Sequence, residues 1–483
     1  MPFKTGEQYR ERLDRLQHNV WFRGEPVTGN ITEHLAFRGL VSFQASLYDM
    51  QNDKAYQEKL TFTSEATGDL VGLSFLQPKT KKDLAKRREM MRLWADYHHG
   101  FLGRSPDYMN TSIMAFYSAS DLLSELDPQY SDNLKKYFEY CREHDITLSH
   151  AFIQPQASRY VNINDGVEEN LAAKVVDQNK DGIVVTGAFL MATQGVTAEE
   201  IFVFPPVSTL LPETDSPYTF VFAVPNNLPG LKFICRESLV QGDSAFDFPL
   251  SSKYEEMDTL VIFDQVLVPW DRVFLYGHED LAHRFVIESG FHAHVSHQLL
   301  CKNIAKTEFL LGTIEYMVET SGMSNYPHVR EKIAEIIVGL ETLKSMLIAA
   351  EMNAKIDKFG SMVPSKNTIL AANVLYPELY PRIIEIIQLL GGSSLVMIPS
   401  EKDFESDIAP YLNKYLKGMQ SDAKEKVKLF RLAWEISAGS FGGRETLYER
   451  FFFGNKSSIT SRLYEGYMGR EKYIQKVKHF LQG

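Results

Sequence analysis

The pattern of hydrophobic and polar positions changes twice along the chain. From residue 5 to about residue 145 the apolar positions recur with helical spacing. Thr5 and Gln8 predict a capping box ahead of EQYRERLDRL, and Thr80 predicts the start of a second long helix, KKDLAKRREMMRLWADYHH. Further helices are predicted at 112–126 and 128–143.

Short β-rich runs separated by Asn, Gly, Pro and Asp follow this helical region. They read TLSHAFI, KVVDQ, GIVVTGAFLMAT, EIFVF, YTFVFAV, LKFIC and TLVIFDQVLV. Because DQNKDG at 177–182 stands between two of these runs, it predicts a hairpin turn. These runs predict a β barrel or sandwich.

After PWDRVFLYG the apolar spacing becomes helical again, with long segments that suffice for a four-helix bundle. These segments are 292–320, 327–358, 367–391 and 404–440. The predicted fold class is therefore α+β and multidomain. Its domains are a helical N-terminal domain at 1–145, a central β-barrel domain at 146–275 and a C-terminal helical bundle at 276–483.

Composition and charge narrow the class of partner. The 483 residues are 44% hydrophobic and 23% charged, which is typical of a soluble globular protein. The net charge of −11, without a basic tail, argues against nucleic acid and anionic membranes as partners. Cys141, Cys235 and Cys301 are odd in number and far apart, and no signal peptide or long apolar run is evident. We therefore expect a cytoplasmic protein without disulfides.

The sequence contains no complete motif for binding a metal ion or a phosphate group. DQNKDG matches the first half of an EF-hand loop, but Ala188 stands where the loop requires a glutamate, and strands flank it. In HAHVSH, His294 and His297 could share a helical face as ligands, yet no carboxylate or cysteine completes a site with them or with His292. We predict no metal and a packing role at the helix start. The chain also lacks GxxxxGK[ST] and a GxGxxG after a strand, so a dinucleotide must be held in another way.

The segment GRSPDYMN at 103–110 combines a helix start with two residues that the start does not need. Ser105 is a preferred N-cap, Pro106 suits the first helical position, and Asp107 complements the helix dipole. Arg104 and Tyr108 are four residues apart and project beside the same helix N-terminus, where backbone N–H groups favour a negative oxygen. The spacing predicts half of an anion pocket.

The β region opens with LSHAFIQPQASR at 148–159, which contains His150 near a boundary between helix and strand. Gln156, Ser158 and Arg159 follow a proline that ends the strand and presents polar groups in a loop. Taken alone, such a histidine is more often structural than functional.

Four segments occur in one order: GRSPDYMN, LSHAFIQPQASR, FDQVLVPWDRVF at 263–274 and IIQLLGGSSLVMIPSE at 386–401. In this order the chain resembles the oxygenase family of 4-hydroxyphenylacetate 3-monooxygenases, and especially its bacillus-type members, over nearly its whole length. The resemblance implies an acyl-CoA dehydrogenase-like fold, a homotetramer, and reduced FAD from a separate flavin reductase. Dioxygen would be the co-substrate.

The resemblance also implies roles for individual residues. Arg104, Tyr108 and His150 would surround the phenol hydroxyl of the substrate, and Ser208 and Thr209 would meet its carboxylate end from a covering loop. The implied FAD contacts are His150, Gln156, Ala157, Ser158, Arg159, Thr193, Gly391, Gly392, Gly454 and Asn455. The glycine pair fits a helix C-cap equally well, and Gly454 with Asn455 fits a turn.

The implied reaction hydroxylates 4-hydroxyphenylacetate to 3,4-dihydroxyphenylacetate through a flavin hydroperoxide, which attacks the ring carbon beside the hydroxyl. Another phenol, such as a chlorophenol or a tyrosine-derived compound, is the first alternative. A 4-hydroxybutyryl-CoA dehydratase is a second, because His294 and Cys301 resemble part of its cluster spacing, although GRSPDYMN has no thiol. An acyl-CoA dehydrogenase and a non-enzymatic oligomeric scaffold are the others. The sequence leaves open the phenol, the reductase, the choice between FAD and FMN, and the role of the cluster of His292, His294 and His297.

Overall fold

The computed structural model describes residues 3–155, 171–205 and 216–482. The chain divides into two compact units. The first unit comprises Met1–Gln298 with Ile356–Met362, and the second comprises Leu299–Lys355 with Val363–Gly483. The predicted domain limits at 145 and 275 stay predictions.

Helices form much of the first unit outside its sheets. They are α1 (Gly6–Leu16), α2 (Arg38–Asn52), α3 (Gln57–Leu60), α4 (Lys81–Tyr97), α5 (Pro106–Ser118), α6 (Pro128–His144), α7 (Ser251–Tyr254), α8 (Glu279–Glu288) and the first turns of α9 (Phe291–Thr320). The Thr5–Gln8 capping box is confirmed, and Thr80 caps α4 together with Asp83. The predicted helix at 112–126 is wrong in its limits, because α5 starts at Pro106 and a 3₁₀ turn at 120–125 follows it.

The strands follow the predicted β-rich runs closely. They are β1 (Val20–Phe22), β2 (Glu25–Pro26), β3 (Thr61–Thr63), β4 (Leu70–Gly72), β5 (Leu148–Ala151), β6 (Lys174–Gln178), β7 (Gly182–Thr193), β8 (Glu200–Val203), β9 (Ser216–Pro225), β10 (Leu231–Cys235), β11 (Asp258–Pro269), β12 (Val273–Gly277), β13 (Lys355–Ile356) and β14 (Met362–Val363). The DQNKDG hairpin is confirmed, since β6 and β7 pair antiparallel on either side of it. The sequence pattern missed β12 and the short strands before α4.

Two sheets share one apolar core in the first unit. The larger has the order β2-β1-β10-β11-β7-β6, and the smaller has the order β12-β9-β8-β5. Phe189 and Phe263 from the larger sheet and Phe222 from the smaller belong to the same buried cluster, which also receives Tyr9 and Tyr48 from α1 and α2. β8 and most of β9 are buried on both faces, which explains their continuous apolar runs, whereas buried and less buried positions alternate along most of β11.

The start of β5 is fixed by a buried ion pair. Lys4 pairs with Glu199, and the Glu199 carboxylate also accepts a hydrogen bond of 2.8 Å from the backbone N–H of Thr147. β5 and β8 run parallel, with His150 opposite Phe202. The N-terminal segment thereby fixes the strand that carries His150.

The second unit contains the remaining helices. They are the rest of α9, α10 (Pro327–Met352), α11 (Lys366–Val396), α12 (Ala409–Tyr415), α13 (Ala423–Ser437), α14 (Ser440–Phe451), α15 (Lys456–Gly466) and α16 (Arg470–Gln482). The predicted helix at 404–440 is wrong, because α12 ends before Gly418 and Asp422 caps a new helix by accepting from the Glu425 N–H. The predicted helix at 327–358 ends early, at Met352.

One segment of the described chain, 366–405, is long and apolar enough to cross a membrane by length and composition alone. The core helix of a helical domain passes the same test. α11, which forms most of this segment, packs against α10, α13, α14 and α15.

His18 makes the stability of the first unit depend on pH. Its Nε2–H donates to the Val196 carbonyl oxygen at 2.9 Å, and burial lowers its pKa from 6.5 to about 4. Since the unfolded chain takes up this proton first as the pH falls, stability should decrease from about pH 6.5 downward, by about 2 kcal/mol at pH 5. Glutamine retains an N–H donor but does not titrate. Between pH 7 and pH 5 we therefore expect the free energy of unfolding of His18→Gln to fall by about 2 kcal/mol less than that of the wild type.

Urea unfolding at several pH values measures this difference. His328→Gln, at an exposed position of α10, is the control substitution. If the free energy of unfolding had the same pH dependence in the wild type and in His18→Gln, His18 would not be the source of the pH dependence.

Candidate active site

The N-terminus of α5 is built from GRSPDYMN, but its capping differs from the prediction. Ser105 occupies the N-cap position and Pro106 the first helical position, as predicted. The Ser105 hydroxyl does not cap the helix; it donates to Oδ1 of Asp107, whose other oxygen accepts from Gln298 Nε2 at 3.1 Å. Burial raises the pKa of Asp107, and these two hydrogen bonds oppose that rise. Asp107 therefore anchors the turn instead of facing solvent.

Arg104 and Tyr108 contact each other at this helix start. The Arg104 guanidinium carbon lies 4.3 Å from the centre of the Tyr108 ring, which is the geometry of a cation–π contact. Tyr108 is buried, and burial raises the pKa of its phenol although the nearby Arg104 charge lowers it. Tyr108 is thus a neutral hydrogen-bond donor at physiological pH.

His150 lies in β5 beside this pair. Its ring centre is 5.5 Å from that of Tyr108, and its ring stacks on Phe152 at 5.2 Å and on Phe204 at 5.9 Å. Burial, and next the charge of Arg104, hold the pKa of His150 well below its usual value. Within the described part of the chain, the buried Nδ1 of His150 has no hydrogen-bond partner. A neutral imidazole with one unused polar atom can take a ligand hydroxyl.

Glu256 holds the Arg104 turn and was missed by sequence reasoning. Its buried carboxylate accepts hydrogen bonds from the backbone N–H groups of Gly103 and Arg104, at 3.0 and 2.6 Å. The only signal in the sequence is a pair of adjacent glutamates, YEEM, directly before a β-rich run. Nothing in that pattern distinguishes a buried acid from a surface acid.

Thr193 lies at the end of β7, where its hydroxyl donates to Asp258 at 2.7 Å. Arg236 in turn donates to the other oxygen of Asp258 at 2.9 Å. Gln194, the next residue, has a left-handed φ of 61° and leads the chain away from the sheet. The Thr193 hydroxyl oxygen is therefore held in one orientation at a strand end.

The glycine sites of the second unit have local structural explanations. Gly392, with φ 49° and ψ −136°, interrupts α11 after Gly391, so the pair forms a kink instead of the C-cap that was the alternative. Gly454 has a φ of 107°, which only glycine adopts readily, and Asn455 caps α15 by accepting from the Ser458 N–H at 2.9 Å. The turn alternative for Gly454 and Asn455 thus has direct geometric support, and their contact with FAD stays a prediction.

Six predicted site residues lie outside the described part of the chain. They are Gln156, Ala157, Ser158 and Arg159, and the two residues of the predicted covering loop, Ser208 and Thr209.

The histidines at the start of α9 are packed in the interior of the first unit. His294 and His297 are buried, and burial, followed by the charges of Arg87 and His297, holds the pKa of His294 well below its usual value. Among the described residues, no group of three or more His, Cys, Asp or Glu side chains could hold a metal ion.

Comparison with known proteins decides the family. The profile of the 4-hydroxyphenylacetate 3-hydroxylase N terminal matches residues 5–275, and that of the 4-hydroxyphenylacetate 3-hydroxylase C terminal matches residues 282–482. The chain belongs to the 4-hydroxyphenylacetate 3-hydroxylase family.

This member of the 4-hydroxyphenylacetate 3-hydroxylase family is similar to its relatives over nearly its full length. A Bacillus subtilis protein named "Probable 4-hydroxyphenylacetate 3-monooxygenase" is 43% identical over 99% of this chain and 98% of its own. The chain is also similar to the crystal structure of the oxygenase component of 4-hydroxyphenylacetate 3-monooxygenase complexed with FAD and 4-hydroxyphenylacetate. That similarity has a TM-score of 0.94 and 43% identity, and it covers 99% of this chain and 98% of the other.

A more distant likeness concerns the fold alone. Butyryl-CoA dehydrogenase from Megasphaera elsdenii has 12% identity and a TM-score of 0.50, over 96% of this chain and 99% of its own. The predicted acyl-CoA dehydrogenase-like fold is thereby confirmed. Family membership confirms the predicted enzyme class, the oxygenase component of a two-component flavin-dependent monooxygenase.

Proposed function

We propose that this protein hydroxylates 4-hydroxyphenylacetate at the ring carbon beside its hydroxyl group, to give 3,4-dihydroxyphenylacetate. The observation that carries the proposal is a chain of contacts, from half-buried Arg104 to buried Tyr108 and from Tyr108 to buried His150, which brings one cation and two polar rings together. The similar crystal structure with FAD and 4-hydroxyphenylacetate supports the choice of substrate.

The arrangement suits the central demand of the reaction, because a phenolate ring is far richer in electrons than a phenol ring. Lowering a phenol pKa of about 10 to near neutrality requires roughly 4 kcal/mol of preferential interaction with the anion. Two or three hydrogen bonds to charged groups, at about 1.5–3 kcal/mol each, can supply this. Arg104 brings the positive charge, and Tyr108 donates without adding charge.

His150 completes the set as a neutral acceptor. Its low pKa in the absence of substrate keeps the ring unprotonated, so that it does not add a second positive charge beside Arg104. A phenolate oxygen next to the ring would raise the pKa of His150, because an adjacent negative charge favours the imidazolium form. The proton of the substrate hydroxyl would therefore move to His150 as the anion forms.

The residues present fit a flavin beside this pocket. His150 and the fixed hydroxyl oxygen of Thr193 would contact the flavin, and 156–159 would add further contacts. The remaining proposed FAD contacts, Gly391, Gly392, Gly454 and Asn455, belong to the second unit. When bound, reduced FAD would supply two electrons to dioxygen, one atom of which enters the ring while the other leaves as water.

Proposed partners follow from the same assignment. A separate flavin reductase would supply reduced FAD, and Ser208 and Thr209 would contact the substrate carboxylate. A homotetramer is proposed because the second unit exposes apolar side chains that other copies would cover, including Val338, Leu389 and Val396. A cytoplasmic location is proposed because Cys141, Cys235 and Cys301, all within the described part of the chain, form no disulfide. Neither nucleic acid nor a membrane is proposed as a partner.

The test is a single turnover with supplied cofactor. The purified protein is mixed anaerobically with reduced FAD and 4-hydroxyphenylacetate, oxygen is admitted, and product, peroxide and flavin oxidation are followed together. We expect close to one 3,4-dihydroxyphenylacetate per flavin oxidised, and little hydrogen peroxide. FMN in place of FAD tests cofactor choice.

A panel of phenols separates substrate from reaction. Flavin oxidation in the presence of 4-hydroxyphenylacetate could yield only peroxide, while a chlorophenol or a tyrosine derivative is hydroxylated. That result would contradict the proposed substrate and support the proposed reaction. Failure to bind reduced flavin would overturn the proposal as a whole.

A further inference from the structure

Glu256 is a buried carboxylate that joins two segments of the first unit. It lies two residues before β11, and its side chain is nearly inaccessible to solvent. Its Oε1 accepts from the Arg104 N–H at 2.6 Å and from Gln194 Nε2 at 2.8 Å, while its Oε2 accepts from the Gly103 N–H at 3.0 Å. Three donors thus converge on one carboxylate.

Two consecutive backbone N–H groups on one carboxylate fix the orientation of the peptide between Gly103 and Arg104. This peptide sets the direction in which the Arg104 side chain leaves the turn toward the ring of Tyr108. An arginine side chain has many rotamers. A fixed backbone limits the positions that its guanidinium can reach, which raises the population of the rotamer that contacts the substrate.

The third donor extends the connection to the strand that carries Thr193. Gln194 follows Thr193 directly, and its own backbone N–H donates to the carbonyl oxygen of Met257 at 2.8 Å. Its side chain then reaches back to Glu256. Glu256 therefore couples the backbone of Arg104 to the end of β7.

We propose that Glu256 is a positioning residue for hydroxylation, which acts by fixing the Arg104 turn and the end of β7 relative to each other. The proposal rests on the proposed function, since it assigns Arg104 to the phenol oxygen. Glu256 itself would touch neither substrate nor flavin. Its effect should appear in substrate binding and in the share of oxygen that reaches the ring.

Glu256→Gln is the test substitution, because it keeps the shape while one acceptor oxygen becomes an N–H₂ group that faces a donor. We expect an increase of about tenfold in both the Kd and the KM for 4-hydroxyphenylacetate, since one charge-assisted hydrogen bond is lost. Hydrogen peroxide should rise at the expense of product, while the Kd for reduced FAD stays at the wild-type value. Calorimetry measures the two Kd values without turnover.

Glu255→Gln is the matched control. Glu255 is adjacent and equally buried, but it accepts from Arg236, Ser238 and the Leu239 N–H. Coupling is the amount of hydroxylated product formed per flavin oxidised. A purely structural role would lower both the thermal stability and the coupling of the two variants to the same extent. Our proposal expects loss of coupling only in Glu256→Gln, and Glu256→Asp, which keeps the charge, should restore part of it.

The outcomes separate the two proposals. Wild-type coupling and wild-type Kd for the phenol in folded Glu256→Gln would overturn the positioning role, as would equal uncoupling in Glu255→Gln. If Glu256→Gln does not fold, the same readouts are taken on Glu256→Asp, which is expected to show a smaller change in the same direction. A wild type that binds the phenol without hydroxylating it refutes the proposed function, yet the Kd values still decide the role of Glu256. A wild type that does not bind the phenol overturns both.

Discussion

Arg104→Ala is expected to oxidise reduced FAD normally while releasing hydrogen peroxide in place of hydroxylated product. The substitution removes the cation that contacts Tyr108 and would stabilise the phenolate. Loss of one preorganised donor to a developing oxyanion typically lowers rates about 10²–10³-fold, and we expect that range for hydroxylation kcat/KM. Product and peroxide per flavin oxidised, measured by chromatography and a peroxidase assay, give the result.

Three further variants interpret this result. Arg104→Lys retains the charge without the planar fork, so its coupling should fall between wild type and alanine. His150→Ala should shift the output toward peroxide in the same way, because it removes the proposed proton acceptor. Arg284→Ala removes a cation that pairs with Glu125 and Glu288, and it should give the wild-type yield of hydroxylated product per flavin oxidised. Normal hydroxylation by Arg104→Ala would contradict the assigned role.

The electrostatics of Arg104, Tyr108 and His150 favour binding of a phenolate over a neutral phenol. Burial, and next the charge of Arg104, lower the pKa of His150, while burial raises the pKa of the Tyr108 phenol. Among these three side chains Arg104 therefore carries the positive charge, while Tyr108 and His150 are neutral. A phenolate would bring the compensating negative charge, whereas a neutral phenol would not.

Much of the fold was predictable because its signals are local. The predicted short β-rich runs fall on β5 through β11, and the Thr5–Gln8 capping box is present as predicted. The prediction failed at 404–440, where helical apolar spacing continues through Gly418 to Asp422 although the backbone does not. A short loop with apolar neighbours cannot be told from helix by spacing alone.

The candidate site was predictable only in part. Arg104 and Tyr108 are four residues apart, so a helix start was enough to place them side by side, whereas His150 reaches them through the pairing of β5 with β8. Resemblance to a family supplied that link. Glu256 was missed because its donors, Gly103, Arg104 and Gln194, are 62 to 153 residues away in the sequence. No local pattern reports which side chain a backbone N–H will meet across the fold.

Lys306→Met is expected to cost about 3–5 kcal/mol of stability in the second unit, because it leaves buried carboxylates with fewer cations. Lys306 Nζ donates to Glu445 and to Glu449, at 2.6 Å each, and Lys302 donates to Glu449 at 2.7 Å. All four side chains are buried, and the two glutamates hold the pKa of Lys306 well above its usual value despite burial. Urea unfolding followed by fluorescence, with hydrogen exchange on α14, measures the loss.

The comparison with an exposed pair decides whether burial is the cause. Arg382 contacts Glu335 at 2.8 Å and Glu385 at 2.7 Å on the surface of the same unit, so Arg382→Met should cost about 1 kcal/mol or less. The double variant Lys306→Met/Glu445→Met should lose less stability than the sum of the two single variants. The reason is that the double variant has no buried carboxylate at 445 from which a lysine partner has been removed. Equal costs for Lys306→Met and Arg382→Met would show that the buried network contributes no more than a surface ion pair. Because the lysines lie on α9 and the glutamates on α14, the expected loss should appear first as faster exchange along α14.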